Sequence, residues 1–203
     1  MKKIGIFGVT ASISILSFAG FYNPNTQPTT QPVEPAPVIK QDPSKQIVYK
    51  PSAKGFPRYL TKSEKDCLVE NLYHEARGES KKGQEAVVYV VLNRAMSETR
   101  QYGKSSHMCD IVKAPNAFSW YDGTKKVITD RDAWVQATGI VDKVLRSYSL
   151  KNSPVADATH YVNKKIATAK AKWWKSKKMT VLAAVGSHTF FKQKNEVIAM
   201  KRA

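Results

Sequence analysis

The chain is poor in cysteine and in acidic side chains, and beyond residue 58 it has almost no proline. Two cysteines, Cys67 and Cys109, are too few for a four-cysteine zinc site. The 16 Asp and Glu against 33 Lys and Arg leave a formal charge of +17, so the partner is expected to be anionic: nucleic acid, anionic lipid or an anionic wall polymer. No internal repeat is visible, so no solenoid is expected. The histidine four residues after His74 that a paired-histidine zinc motif needs is also missing, because that position is Gly78.

What is present begins with a leader. A short basic start, MKK, precedes the uncharged run IGIFGVTASISILSFAGF, and Ser17-Phe18-Ala19 forms a small-x-small site ahead of Gly20. Residues 1–20 therefore read as a signal peptide or signal anchor, so the protein is expected to be exported to the periplasm or cell wall, either free or membrane-tethered. Export argues against a nucleic-acid role and fits the two cysteines as one disulfide, with buried free thiols the other option. Eight of the ten prolines lie before residue 58, so 21–58 reads as a Pro-rich disordered linker. A single folded domain is then expected over 59–195, with 196–203 as a C-terminal tail.

Within that domain, Thr61 and Glu64 have the spacing of a capping box, opening a helix that should run to about Arg77 and end on a left-handed Gly78. Ser80 can cap a second segment, GQEAVVYVVLNRAM, whose β-branched content leaves helix and strand open. Residues 101–126 read as a loop with short turns. Thr129 or Asp130 caps a further helix, with Trp134, Ala137, Val141, Val144 and Leu145 at helical spacing. ATHYVN and TVLAAV…HTFF read as short strands, so the class is α+β: mainly helical, with a small antiparallel sheet.

Candidate chemistry centres on NLYHEARGES, residues 71–80. Glu75 is in helical register with Leu68 and Leu72, at the edge of an apolar stripe. Partial desolvation there favours a protonated acid, which suits general acid–base work. His74, His160 and His188 leave a three-histidine metal site open as an alternative. Ser187-His188 lacks the strand-turn-helix frame of a nucleophile elbow.

The run from Cys67 to Ser80, followed by Gly83-Gln84, Asn93-Arg94, Cys109-Asp110-Ile111-Val112, Phe118-Ser119-Trp120, Ala158-Thr159-His160-Tyr161 and Gly186-Ser187-His188-Thr189-Phe190-Phe191, resembles the SleB/CwlJ-type cell-wall hydrolase family. The likeness spans about residues 64–192. It implies a lysozyme-like lytic-transglycosylase domain that cleaves the MurNAc–GlcNAc bond of peptidoglycan, with Glu75 as its catalytic acid/base. No cofactor or metal is implied, and a phage endolysin is one expected role. Two alternatives stay open: an N-acetylmuramoyl-L-alanine amidase with a histidine-bound metal, and a non-catalytic basic wall-binding protein.

Trp120, Tyr161 and Trp174 are candidates to stack on sugars, with core packing the alternative for each. His160 and His188 are candidates to bond sugar hydroxyls or orient Glu75, with a structural hydrogen bond the alternative for His188. Arg77, Glu79, Asn93 and Arg94 are expected to support the site, Glu79 by holding the turn after Gly78, with a place in the cleft as its alternative. The stretch 164–178 holds seven lysines and two tryptophans and is expected to meet an anionic wall or membrane surface. The protein is expected to act as a monomer.

Overall fold

The computed structural model describes residues 42–51, 55–98, 107–167 and 172–199. The chain divides into two units, 1–39 and 40–203, and every described residue belongs to the second. The leader and most of the Pro-rich stretch lie outside the described residues. Among the described residues, no helix is long and apolar enough to cross a membrane.

The described residues form four α-helices and two small sheets, an α+β arrangement. Helix α1 (Lys62–Ala76) begins at the capping box: the Thr61 side chain accepts from Glu64 N–H, and Glu64 accepts from Thr61 N–H at 3.1 Å. Buried Glu64 also accepts from Arg58 at 3.3 Å and from Met108 N–H at 3.4 Å, so the carboxylate that caps α1 also anchors α3 (Met108–Val112). Part of the expected 101–126 loop is thus this short helix. The Cys67–Cys109 disulfide joins the same two elements. Helix α1 ends at Ala76, whose carbonyl accepts from Glu79 N–H at 2.9 Å. The expected left-handed Gly78 is not found, since Gly123 and Gly186 are the positive-φ glycines among the described residues.

Helix α2 (Lys81–Ala95) starts where the Ser80 side chain accepts from Gly83 N–H at 3.3 Å. Twelve of its residues, from Gly83 to Ala95, are buried. A helix packed on nearly all sides has no polar face to give it a period, so its sequence cannot be told from a buried strand. Helix α4 (Arg131–Ser147), capped by Asp130, is amphipathic and buries Ala137, Ile140, Val141, Val144 and Leu145.

Strand β1 (Ile47–Tyr49) pairs antiparallel with β2 (Leu60–Thr61). A second sheet contains β3 (His160–Val162), β4 (Met179–Val185) and β5 (His188–Gln193), antiparallel in the order β3-β5-β4. Both expected domain boundaries need correction. Tyr49 donates its hydroxyl to Leu145 C=O at 2.7 Å, and Phe56, wholly buried, donates its N–H to the same carbonyl at 2.8 Å. The folded unit therefore includes residues 42–51 and 55–58, which composition assigns to the linker: Pro43 sits in the first turn of a 3-10 helix, where its missing N–H costs nothing. At the other end, Glu196 is only 4% exposed and accepts from Ser97 Oγ at 2.8 Å and Thr159 Oγ1 at 2.6 Å, so 196–199 is docked rather than a tail.

Candidate active site

A cleft of about 640 Å³ opens between the last turn of α1, the segment 116–121, strand β3 and the start of β5. Among its described lining residues Glu75 is the one carboxyl. Glu75 Oε2 accepts from the Tyr161 hydroxyl at 2.7 Å, and Oε1 takes a longer contact of 3.5 Å from Ser119 Oγ. Burial first, and the neighbouring Glu75 charge second, push the Tyr161 phenol well above its ordinary value, so it remains a protonated donor. One face of the acid is thereby committed to Tyr161, and the other faces the cleft wall.

Behind this pair, α2 ties the strand to the helical core. Asn93, fully buried, donates to Ala156 C=O at 3.2 Å and Ala158 C=O at 2.8 Å, and accepts from Tyr148 at 2.8 Å. Arg94 donates through Nε to Thr159 C=O at 2.7 Å, its guanidinium 4.6 Å from the Phe118 ring centroid, and it reaches the cleft lining. These two side chains hold the backbone entering β3, and so set where Tyr161 stands. Arg77 is exposed, its guanidinium 5.1 Å from the Tyr73 ring centroid.

His160 lines the cleft with Nδ1 3.0 Å from Thr159 Oγ1. Burial, reinforced by Arg94, lowers its pKa to about 4, so it is a neutral imidazole at neutral pH. His188 lines the cleft too, edge-on to Tyr161 with centroids 5.0 Å apart. Burial is the largest cause holding its pKa below the usual histidine value.

Glu79 is not among the described residues that line the cleft, and it lies beside one that does, His188. Its carboxylate accepts from Ser187 N–H at 3.2 Å and from the Ser187 hydroxyl, at the turn between β4 and β5, with His188 Nδ1 3.6 Å away. The Ser187 hydroxyl foremost, with the Ser187 N–H and His188 adding, holds the carboxyl below its ordinary range. The expected role at the turn after Gly78 is thus replaced by a long-range one.

The aromatic expectations divide. Tyr161 is in the cleft, but Trp120 and Trp174 are not part of its lining. Trp120 stacks on His74, 4.6 Å between centroids, and donates to Asn71 at 2.9 Å. Trp174 lies under Lys164 and Lys175. Their neighbours Tyr121 and Trp173 line the cleft instead, Trp173 being 39% exposed. Sequence does not say which of two adjacent aromatics faces a groove, and Ser119, between two quoted aromatics, carries no signal of its own. His74, His160 and His188 all line the cleft, yet no group of three His, Cys, Asp or Glu placed to hold a metal is found among the described residues.

The sequence matches the family model described as Cell Wall Hydrolase over residues 78–191, a span that begins three residues after Glu75. Two solved structures resemble the fold. One is the catalytic domain of the Bacillus cereus SleB protein, 24% identical, covering 70% of this chain and 98% of that one at a TM-score of 0.52. The other is the catalytic domain of the germination-specific lytic transglycosylase SleB from Bacillus anthracis, 25% identical, covering 67% and 99% at a TM-score of 0.52. No curated protein matches the sequence.

Proposed function

The chain belongs to the cell wall hydrolase family, whose model covers more than half of it, and from that premise we propose that it is a lytic transglycosylase acting on the MurNAc–GlcNAc bond with Glu75 as acid and then base. The observation that carries the reading is that Glu75 is the one carboxyl among the described residues of the cleft lining. Water-consuming glycosidases use two carboxyl groups, one as acid and one as base or nucleophile. A transglycosylase can work with one, because the substrate supplies its own nucleophile.

Protonated Glu75 gives its proton to the glycosidic oxygen as the bond to the muramoyl C1 breaks. The resulting carboxylate takes the proton of the muramoyl 6-hydroxyl while that oxygen closes on C1, yielding a 1,6-anhydro end and restoring the acid. Tyr161 keeps Glu75 in place through both steps. Trp173 and Tyr121 offer aromatic faces to the sugars, and neutral His160 can accept from or donate to their hydroxyls.

The substrate's anionic partners meet a strongly basic wall of the domain: no Asp or Glu occurs between Ala158 and Asn195. Lys164 and Lys175 lie over the Trp174 ring, 5.4 and 5.0 Å from its centroid. Wall binding therefore falls as salt is raised, and salt-insensitive binding would point to stacking and shape instead. Export through the leader, and a role as an endolysin, belong to this same reading. Lysis on directed export, and none when residues 1–20 are removed, would support both.

The decisive experiment digests purified peptidoglycan with the full chain and with Glu75→Gln, and weighs the products. Muropeptides about one water lighter than hydrolysed ones, absent with Glu75→Gln, are expected. Free stem peptides with intact glycan would return the amidase reading. Unaltered wall that nonetheless binds the protein would make it a wall-binding module.

A further inference from the structure

The motif holding Glu75 contains a second glutamate, and its surroundings differ from those of the first. Glu79 sits in the turn between α1 and α2, where its carbonyl accepts from Gln84 Nε2 at 3.0 Å. Its carboxylate spans 108 residues of sequence to reach Ser187, engaging both the backbone N–H and the hydroxyl. Two glycines leave room for it. A Cβ on Gly83 would press on Glu79 Cβ at 3.1 Å, and a Cβ on Gly186 would collide with Glu79 Oε2. Gly186 also has φ +59°, a left-handed conformation that glycine adopts at least cost.

The held turn joins β4 to β5, and the first residue of β5 is His188. His188 is buried, packs edge-on against Tyr161 at 5.0 Å, and Tyr161 donates to Glu75 at 2.7 Å. Tyr161 is also paired across the sheet with Phe190, two residues further along β5. A continuous line of contact thus runs from Glu79 through the hairpin turn, His188 and Tyr161 to Glu75. Its two ends are four residues apart on the same segment, so the loop closes on itself.

We propose that Glu79 is a positioning residue: it clasps the β4–β5 hairpin to the end of α1, and through His188 and Tyr161 fixes the carboxyl of Glu75 in the cleft. Glu79 takes no proton to or from substrate. The inference rests on Glu75 being the acid/base. It separates the two glutamates by role, one chemical and one mechanical, although sequence places them in the same motif.

The two roles predict opposite results for isosteric replacement. Glutamine at 79 keeps an oxygen to accept from Ser187 N–H, and an amide that can donate to the Ser187 hydroxyl. Alanine keeps neither. Initial rates of muropeptide release by the full chain, over a range of peptidoglycan concentrations, are measured for Glu79→Ala, Glu79→Gln, Gly186→Ala, Tyr161→Phe and Glu75→Gln. Glu79→Ala is expected to lose about tenfold or more in kcat with half-saturation within about twofold, the pattern of a misplaced reacting group. Glu79→Gln recovers most of that loss, and Gly186→Ala behaves like Glu79→Ala. The double variant Glu79→Ala/Tyr161→Phe falls little below the worse single one, because both break the same line.

Near-ultraviolet circular dichroism identifies any variant that has lost its packing, and the glutamine rescue is then judged among the folded ones. A Glu79→Gln protein as inactive as Glu75→Gln would overturn the proposal by giving Glu79 a chemical role. A fully active Glu79→Ala would overturn it as well, as would fully additive losses in the double variant. Activity surviving in Glu75→Gln would sink the acid/base assignment and the clasp's purpose with it, whereas an inactive Glu75→Gln beside a fully active Glu79→Ala sinks the clasp alone.

Discussion

Reducing the Cys67–Cys109 bond should cost much of the domain's stability while leaving its fold and its cleft in place. The bond closes a loop with a sequence separation of 42 residues. The chain-entropy relation for a loop of that length gives about 13 cal/mol/K, or about 4 kcal/mol at 25 °C, most of it exerted on the unfolded chain. Other native contacts should outlast the loss, because Met108, Ile111 and Val112 on α3 are buried and Glu64 accepts from Met108 N–H independently of the bond. With a urea slope of about 2 kcal/mol per molar, the midpoint should fall by roughly 2 M. The assay is urea unfolding followed by tryptophan fluorescence, with and without reductant and for Cys67→Ser/Cys109→Ser, with muropeptide release measured without denaturant. Activity should persist in the reduced protein at 25 °C, because residues 116–121 are held by Arg94 and Asn71 as well as by α3. A shift below about 1 kcal/mol would refute the entropic argument. Full inactivation at unchanged stability would show instead that the bond holds the cleft itself.

Four further outcomes follow from particular contacts. Asn93→Ala leaves the buried Ala158 carbonyl and the Tyr148 hydroxyl without this partner, while the Ala156 carbonyl keeps Ser153 Oγ, and should destabilise by about 2 kcal/mol or more in the same unfolding assay. His160, whose pKa falls from 6.5 to about 4, binds its proton less readily folded than unfolded. Stability should thus decline as pH drops from about 6.5 towards 4, and His160→Gln should flatten part of that slope. Glu79 titrates the other way in origin but with the same sign: its lowered pKa gives stability present above about 4.5 and lost on further acidification, a slope that Glu79→Ala should remove. Trp173→Ala should raise the half-saturating peptidoglycan concentration about fivefold with kcat little changed, whereas Trp174→Ala should not.

Features set by neighbouring residues were legible in the sequence. The Thr61–Glu64 cap, the Ser80 and Asp130 caps, the amphipathic α4 and the short strands all depend on spacings of a few residues, and the structure has them where the pattern places them. Glu75 at the edge of an apolar stripe is of the same kind, since Leu68 and Leu72 share its helix face and are buried. The α2 segment was ambiguous because burial on all sides erases periodicity. Residues 42–51 and 55–58 were misread because proline-rich composition signals an extended backbone, without saying whether that backbone finds a sheet edge or a Leu145 carbonyl to bind.

Sequence by itself determined α1 and α4, the caps of the long helices and the motif that contains Glu75, because backbone hydrogen bonding and side-chain periodicity act over one or two turns. Tertiary structure alone decided that Tyr161, 86 residues away, grips Glu75, that Glu79 reaches Ser187, and that Trp173 rather than Trp174 faces the cleft. Those choices depend on where the helical core places the β3-β5-β4 sheet, α2 being the helix that meets it at β4. Contacts between segments so far apart are set by the shape of the whole core, which leaves no mark in the spacing of adjacent residues.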